Sequence, residues 1–193
     1  MFHVEQCIEG NTNNKHYMIM TQEDVKGIIR NVPDFPKKGI LFKDLTTAFI
    51  NPECMHWFEE QLTAAYAEKG ITKVLGIESR GFVMAPIVAN RLGVGFVPVR
   101  KKGKLPADVV EQTYEKEYGT DTIEIHKDSL TQEDVVMIHD DLLATGGTMA
   151  AAVELVRKFG VKRIYVSFLV ELDDLEGRRA FADDVEVLSL IHY

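Results

Sequence analysis

The residues best suited to chemistry stand together in one stretch, His139-Asp140-Asp141-Leu142-Leu143-Ala144-Thr145-Gly146-Gly147-Thr148. Adjacent carboxylates can hold vicinal hydroxyls or a cation-bound group. The loop that follows is built from small residues. Its glycines let the backbone approach a ligand closely, and a helix starting there presents unpaired N–H groups at the positive end of its dipole. The pattern reads as a phosphate cradle, with Asp140 and Asp141 suited to ribose hydroxyls or a magnesium-bound group. The same residue types also make an ordinary strand-to-helix turn with Thr145 or Thr148 as N-cap. The stretch is neither the G-x-G-x-x-G dinucleotide fingerprint nor a Walker loop, which would need Gly-Lys-Ser/Thr.

Three other segments carry chemistry-bearing residues. Glu78-Ser79-Arg80-Gly81-Phe82 follows a short apolar run. Arg100, Lys101, Lys102 and Lys104 form a dense basic cluster in an otherwise acidic chain, broken by Gly103 and Pro106 as a mobile loop would be. The stretch 37–46 reads as a turn leading to a short extended segment with Phe42 among charged neighbours, equally compatible with a half-buried edge strand.

These residues need a scaffold, and the hydrophobic pattern supplies one. Short branched runs at 73–77, 95–99, 122–126, 135–138, 163–170 and 185–190 read as strands. Helical spacing appears after Thr21, where Val25, Ile28 and Ile29 share a face, and after Asn51-Pro52, where Met55, Phe58, Leu62 and Tyr66 do. Further helices are expected over 84–92 and 149–159, the latter closed by Gly160. Pro98 favours an edge or bulge within its strand. Alternation of strands and helices predicts an α/β fold with a central, mostly parallel sheet flanked by helices on both faces. Ligands of such sheets bind at the carboxyl ends of the strands, where the Arg80 and Asp140 segments fall.

Bulk properties narrow the class. A chain of 193 residues fits one domain, 1–193, with 1–17 reading as a loose N-terminal extension. A formal net charge of −8 disfavours nucleic-acid binding, although a local cluster can still hold a polyphosphate. Cys7 and Cys54 suggest neither a disulfide framework nor a metal motif, so a cytoplasmic location is expected. No apolar run is long enough to span a membrane.

The Asp-Asp-Leu-Leu-Ala-Thr-Gly-Gly-Thr run at 140–148 closely resembles the phosphoribosyl-pyrophosphate signature of the type I phosphoribosyltransferase family, in the form found in its adenine-specific branch. Three more motifs of that branch follow in order: Phe-Pro-x-x-Gly-Ile-x-Phe-x-Asp at 35–44, Ser-Arg-Gly-Phe at 79–82, and Arg-Lys-x-Gly-Lys-Leu-Pro with Tyr-x-x-Glu-Tyr-Gly at 100–119. The resemblance runs from about residue 33 to 193. It implies the type I phosphoribosyltransferase fold with a small hood at 33–47 and a flexible catalytic loop. The implied activity is purine salvage: adenine and phosphoribosyl pyrophosphate (PRPP) give AMP and pyrophosphate. Alternatives are a 6-oxopurine enzyme or a purine-sensing regulator of the same fold.

The resemblance also implies residue roles. Phe42 would stack on the purine while the Leu41 backbone pairs with its N1/N6 edge. Lys43 stands where the family usually has Arg, a point charge in place of a planar fork. Ser79 and Arg80 would meet the pyrophosphate, with Arg100, Lys101 and Lys104 from the basic loop. Asp140 and Asp141 would engage the ribose hydroxyls. Leu142, Ala144, Thr145, Gly146, Gly147 and Thr148 would hold the 5′-phosphate region. Glu117 aligns with the carboxylate proposed as proton shuttle, beside Tyr118. Mg²⁺ is the implied cofactor, held mainly by substrate and water rather than by protein ligands, and the implied assembly is a homodimer. His126 reads as structural, and His139 has no role that the sequence explains.

Overall fold

The structure, a computed structural model, describes residues 20–115 and 119–193. Its centre is a seven-stranded sheet in the order β5-β6-β4-β3-β7-β8-β9. The strands are β3 (Lys73–Ile77), β4 (Gly95–Lys101), β5 (Val109–Glu115), β6 (Thr120–His126), β7 (Val135–Leu143), β8 (Arg163–Glu171) and β9 (Glu186–His192). β4, β3, β7, β8 and β9 run parallel, and β6 and β5 add an antiparallel hairpin at the β4 edge. The expected mostly parallel sheet is present. Pro98 is accommodated because β6 joins β4 only at Arg100 and Lys101, leaving the earlier residues of β4 paired with β3 alone.

Each parallel strand buries alternate residues on opposite faces, and two hydrophobic layers result. Leu75, Val136, Ile138 and Val166 meet helix α5 (Gly147–Arg157) on one side. Val74, Met137, Tyr165 and Leu169 meet α3 (Pro52–Tyr66) and α4 (Gly81–Leu92) on the other. Helix α1 (Gln22–Ile28) opens with a capping box between Thr21 and Asp24 and buries Val25 in the second layer.

Two elements begin or end away from their expected bounds. α4 starts at Gly81 rather than near 84, because the chain turns helical directly out of the Arg80 loop. β7 continues beyond Ile138 through both aspartates to Leu143, since β8 pairs with it as far as Glu171.

The hood is a two-stranded antiparallel hairpin, β1 (Arg30–Pro33) and β2 (Leu41–Asp44), followed by the short helix α2 (Thr46–Phe49). Asp44 joins the two. One carboxylate oxygen accepts from Thr46 N (3.0 Å) and Thr46 Oγ1 (2.6 Å), and the other takes Arg30 Nε (3.0 Å) and Nη2 (2.5 Å). These bonds, the Thr46 hydroxyl first and Arg30 next, hold the Asp44 carboxyl down to about 2. Asp44→Ala should therefore lose about 1–2 kcal/mol at neutral pH, the scale of a hydrogen bond to a charged group. A depressed carboxyl stabilises above its unfolded value of roughly 4 and ceases to do so as pH falls through its folded value. The gap between wild type and Asp44→Ala in chemical denaturation should narrow from pH about 4 to about 2.

Candidate active site

The parallel strands deliver their loops to one edge of the sheet, and β3 and β7 are neighbours there. β3 leads into Glu78, whose peptide bond to Ser79 is cis, and the chain turns through Arg80 into α4. The turn is possible because Gly81 lies flat on β7. A Cβ on it would stand 2.6 Å from the His139 carbonyl oxygen and 3.3 Å from Asp140 Oδ1. This close approach brings Arg80 to the acidic pair, where its Nε donates to Asp141 Oδ2 at 2.5 Å. Asp141 is buried, while Arg80 remains half open to solvent.

Asp140 lies on the α5 side. Its Oδ1 accepts from the Asp141 N–H at 2.9 Å. Burial, and then the neighbouring Asp141 charge, push its carboxyl well above the usual range, with Arg80 opposing. Asp140, Leu142, Leu143, Phe168 and residues 144–149 line a cleft of about 110 Å³.

The start of α5 bears on the Gly-Gly-Thr turn, which could serve as a capped structural turn or as an anion site. Neither Thr145 nor Thr148 caps it. Gly146 occupies the N-cap position with φ +82°, and no side chain accepts from the first-turn N–H groups. Donors left uncapped beside an anion-sized cleft suit a phosphate better than a merely structural turn. Thr148 Oγ1 lies 3.2 Å from Tyr114 Oη of β5, so the strand that follows the basic segment touches α5.

The basic segment begins as strand and turn. Arg100 Nε donates to Glu78 Oε2 at 3.0 Å, and the Lys101 N–H donates to the same oxygen at 2.9 Å. Buried Glu124 accepts from the N–H groups of Lys104 (2.9 Å) and Leu105 (3.1 Å). The exposed side chains of Lys101 and Lys104 are therefore carried on a fixed backbone. Glu117 and Tyr118 lie outside the described residues.

In the hood, Phe42 meets Phe35 edge-on with centroids 5.1 Å apart, and Leu41 is exposed beside it. Lys43, next along β2, takes the opposite face as strand geometry requires. Its ammonium donates to Asn31 Oδ1 at 2.8 Å and sits 3.6 Å from the Tyr193 ring centroid. Tyr193 Oη reaches the Lys26 carbonyl of α1 at 3.2 Å. Lys43 thus fastens the hood to the end of β9 and faces away from Phe42.

Sequence reasoning missed several supports. His139 is fully buried, with Nδ1 2.9 Å from Ser167 Oγ and its pKa pushed down to about 3 by burial, so it is a neutral core residue beneath the acid pair. Glu124 gave no local signal, and Phe35 entered only as part of the hood motif. Glu171, Asp173 and His192 bring potential metal-ligand atoms within 4.8 Å of one another, but Arg178 already holds the Glu171 carboxylate.

Comparison with known proteins agrees with this geometry. The phosphoribosyl transferase domain family matches residues 49–191. The adenine phosphoribosyltransferase of Bacteroides thetaiotaomicron is 58% identical over 174 residues, covering 90% of this chain and 99% of its own. The crystal structure of the adenine phosphoribosyltransferase of Thermoanaerobacter pseudethanolicus superposes with a TM-score of 0.83 at 46% identity, covering 90% of this chain and 100% of that one. The Giardia lamblia APRTase, complexed with 9-deazaadenine, gives 0.85 at 47% identity, covering 90% and 98%. Similarity of this depth over nine-tenths of the chain, on a shared fold, means that the chain belongs to the adenine phosphoribosyltransferases of the phosphoribosyl transferase family.

Proposed function

We propose that the chain, as one domain, transfers the phosphoribosyl group of PRPP to adenine, giving AMP and pyrophosphate; the extension expected over 1–17 lies outside the described residues. The observation that carries the reading is the uncapped start of α5 beside Asp140 and Asp141, in a chain of this family.

In this reading the N–H groups and hydroxyls of Thr145, Gly146, Gly147 and Thr148, with Ala144, hold the 5′-phosphate, and Leu142 lines the same cleft. Asp140 and Asp141 take the ribose hydroxyls. Ser79 and Arg80 face the pyrophosphate, with Arg100, Lys101 and Lys104 adding positive charge. Phe42 stacks on adenine, whose N1/N6 edge pairs with the Leu41 backbone. The C1′–oxygen bond to pyrophosphate breaks with its electron pair leaving on oxygen, and purine N9 forms the new bond to C1′. Glu117 takes the proton that the purine gives up. Arg80 steadies the departing charge once substrate draws it from Asp141, and the closed site keeps water from the sugar cation.

The donors fit a Mg²⁺ ion shared with substrate better than a protein-only cage, because Asp141 is already engaged by Arg80 and Asp140 is the one other carboxylate lining the cleft, beside hydroxyls and backbone. When bound, the ion neutralises pyrophosphate charge. Asp140 and Asp141 are the residues that would orient its complex.

A homodimer is part of the proposal. Exposed Phe96 on β4, with Phe82 of α4 packed edge-on against it, offers apolar surface that suits a second copy. A cytoplasmic location is proposed from the buried free thiol of Cys54. No described helix is long and apolar enough to cross a membrane. A 6-oxopurine substrate gains no support from Lys43, which faces Tyr193 and Asn31.

The test is competition among bases with PRPP and Mg²⁺ present. Adenine should be consumed in preference to hypoxanthine, guanine and xanthine, and preference for a 6-oxopurine would refute the proposal. Phe42→Ala should raise the KM for adenine about tenfold, the worth of one lost stacking contact, with the KM for PRPP nearly unchanged.

A further inference from the structure

Two turns meet behind the phosphate loop at backbone distance. A methyl group on Gly177 would stand 2.2 Å from the Ala144 carbonyl oxygen and 2.8 Å from Leu143 Cδ1. One on Gly146 would stand 2.5 Å from the Gly177 carbonyl oxygen and 2.8 Å from Ala180 Cβ. The short 3-10 turn Gly177–Ala180 is therefore a wall against which the loop 144–148 rests. Space alone demands glycine at 177, whose φ is not in the left-handed region.

A wall this close sets the loop's position only if it is itself fixed. Arg178, its second residue, is gripped by Glu171. Nε donates to Oε1 at 2.8 Å and to Oε2 at 3.0 Å, Nη2 donates to Oε2 at 2.8 Å, and Nη1 reaches the Val187 carbonyl at 3.1 Å. The Glu171 side chain is only 5% exposed and ends β8 beside Leu143, the last residue of β7. The anchor thus rises from the same strand ends that carry the acid pair and the loop. A planar fork bonded at three points resists rotation as a single ion pair would not. Burial works most strongly against the charged form of Glu171, but the Arg178 hydrogen bonds, the Ser189 hydroxyl and the nearby positive charge together outweigh it, so its pKa is lowered.

We propose that Arg178, held by Glu171, is a positioning residue that presses the Gly177 wall against the loop 144–148 and so sets the affinity for ligands bearing a sugar 5′-phosphate. The proposal rests on reading that loop as the 5′-phosphate cradle. Arg178 touches no reacting atom.

The test is calorimetric binding of AMP and, separately, of Mg²⁺-pyrophosphate to wild type, Gly177→Ala and Arg178→Lys, with AMP formation by wild type measured in parallel. Gly177→Ala should weaken AMP on the order of tenfold to a hundredfold, as an ångström of misplacement does, while pyrophosphate stays within about twofold. Arg178→Lys keeps the charge without the fork and should show the same split more weakly. It carries the comparison if Gly177→Ala does not fold. Equal weakening of both ligands, or unchanged AMP affinity in the folded variants, overturns the positioning role even when wild type is active. A wild-type protein that forms no AMP overturns the functional reading itself, and this proposal with it.

Discussion

Asp140→Asn should abolish most activity and at the same time stabilise the fold. The loss in kcat/KM for PRPP is expected on the order of 10²–10³, the scale of removing one group aimed at the reacting sugar and its charge. The gain in stability follows from the carboxyl's environment. Burial and the adjacent Asp141 raise the Asp140 pKa, so its ionised form is a cost to the folded state. The sign is the reverse of Asp44: the penalty is absent below the unfolded carboxylate value of roughly 4 and grows as pH rises toward the folded value. Asparagine keeps the shape and carries no charge. The variant should exceed wild type by at least ~1 kcal/mol at pH 8, a rise in Tm of a few degrees, and by less at pH 5. Asp141→Asn should lose activity without that gain, because it breaks the ion pair with Arg80. Equal thermal shifts for the two substitutions would contradict the distinction drawn between them.

Gly81→Ala should be nearly as damaging to turnover with only one carbon added. The new Cβ would lie 2.6 Å from the His139 carbonyl, and backbone there belongs to β7, held between β3 and β8, and cannot retreat. α4 must lift instead, carrying Ser79 and Arg80 away from Asp140 and Asp141. Overpacking of this kind costs about 1–3 kcal/mol of stability. Displacement of Arg80 by a fraction of an ångström to an ångström should lower kcat/KM for PRPP on the order of 10²-fold. Urea denaturation and steady-state kinetics on the same preparation read both effects. Wild-type kinetics in the variant would show that the close approach of α4 to β7 is not needed to set the site.

The order of elements was legible because it is written locally. Branched apolar runs marked the strands, Thr21 and Asn51 marked helix starts, and the aspartates and small-residue loop stood where a strand meets a helix. What remained hidden depends on neighbours distant in sequence. The unexplained His139 is buried beside Ser167, 28 residues on, and neutral there. Lys43 was legible only as the residue standing where the family motif has Arg, and its contact with Tyr193, 150 positions away, could not be read locally. Gly177 and Arg178 belong to a polar segment with no periodicity, and their closeness to Ala144 and Gly146 arises only when β7 and β8 lie side by side. The chemistry-bearing residues announce themselves by type, whereas the residues that hold them announce themselves only by contact.

The most direct measurement of the central claim is pyrophosphate release from PRPP by the purified chain with Mg²⁺, followed with and without adenine. The account predicts release that depends on adenine, with one AMP formed for each pyrophosphate, and loss of both products in Asp140→Asn. Pyrophosphate released at the same rate without adenine, or none released with it, would contradict it.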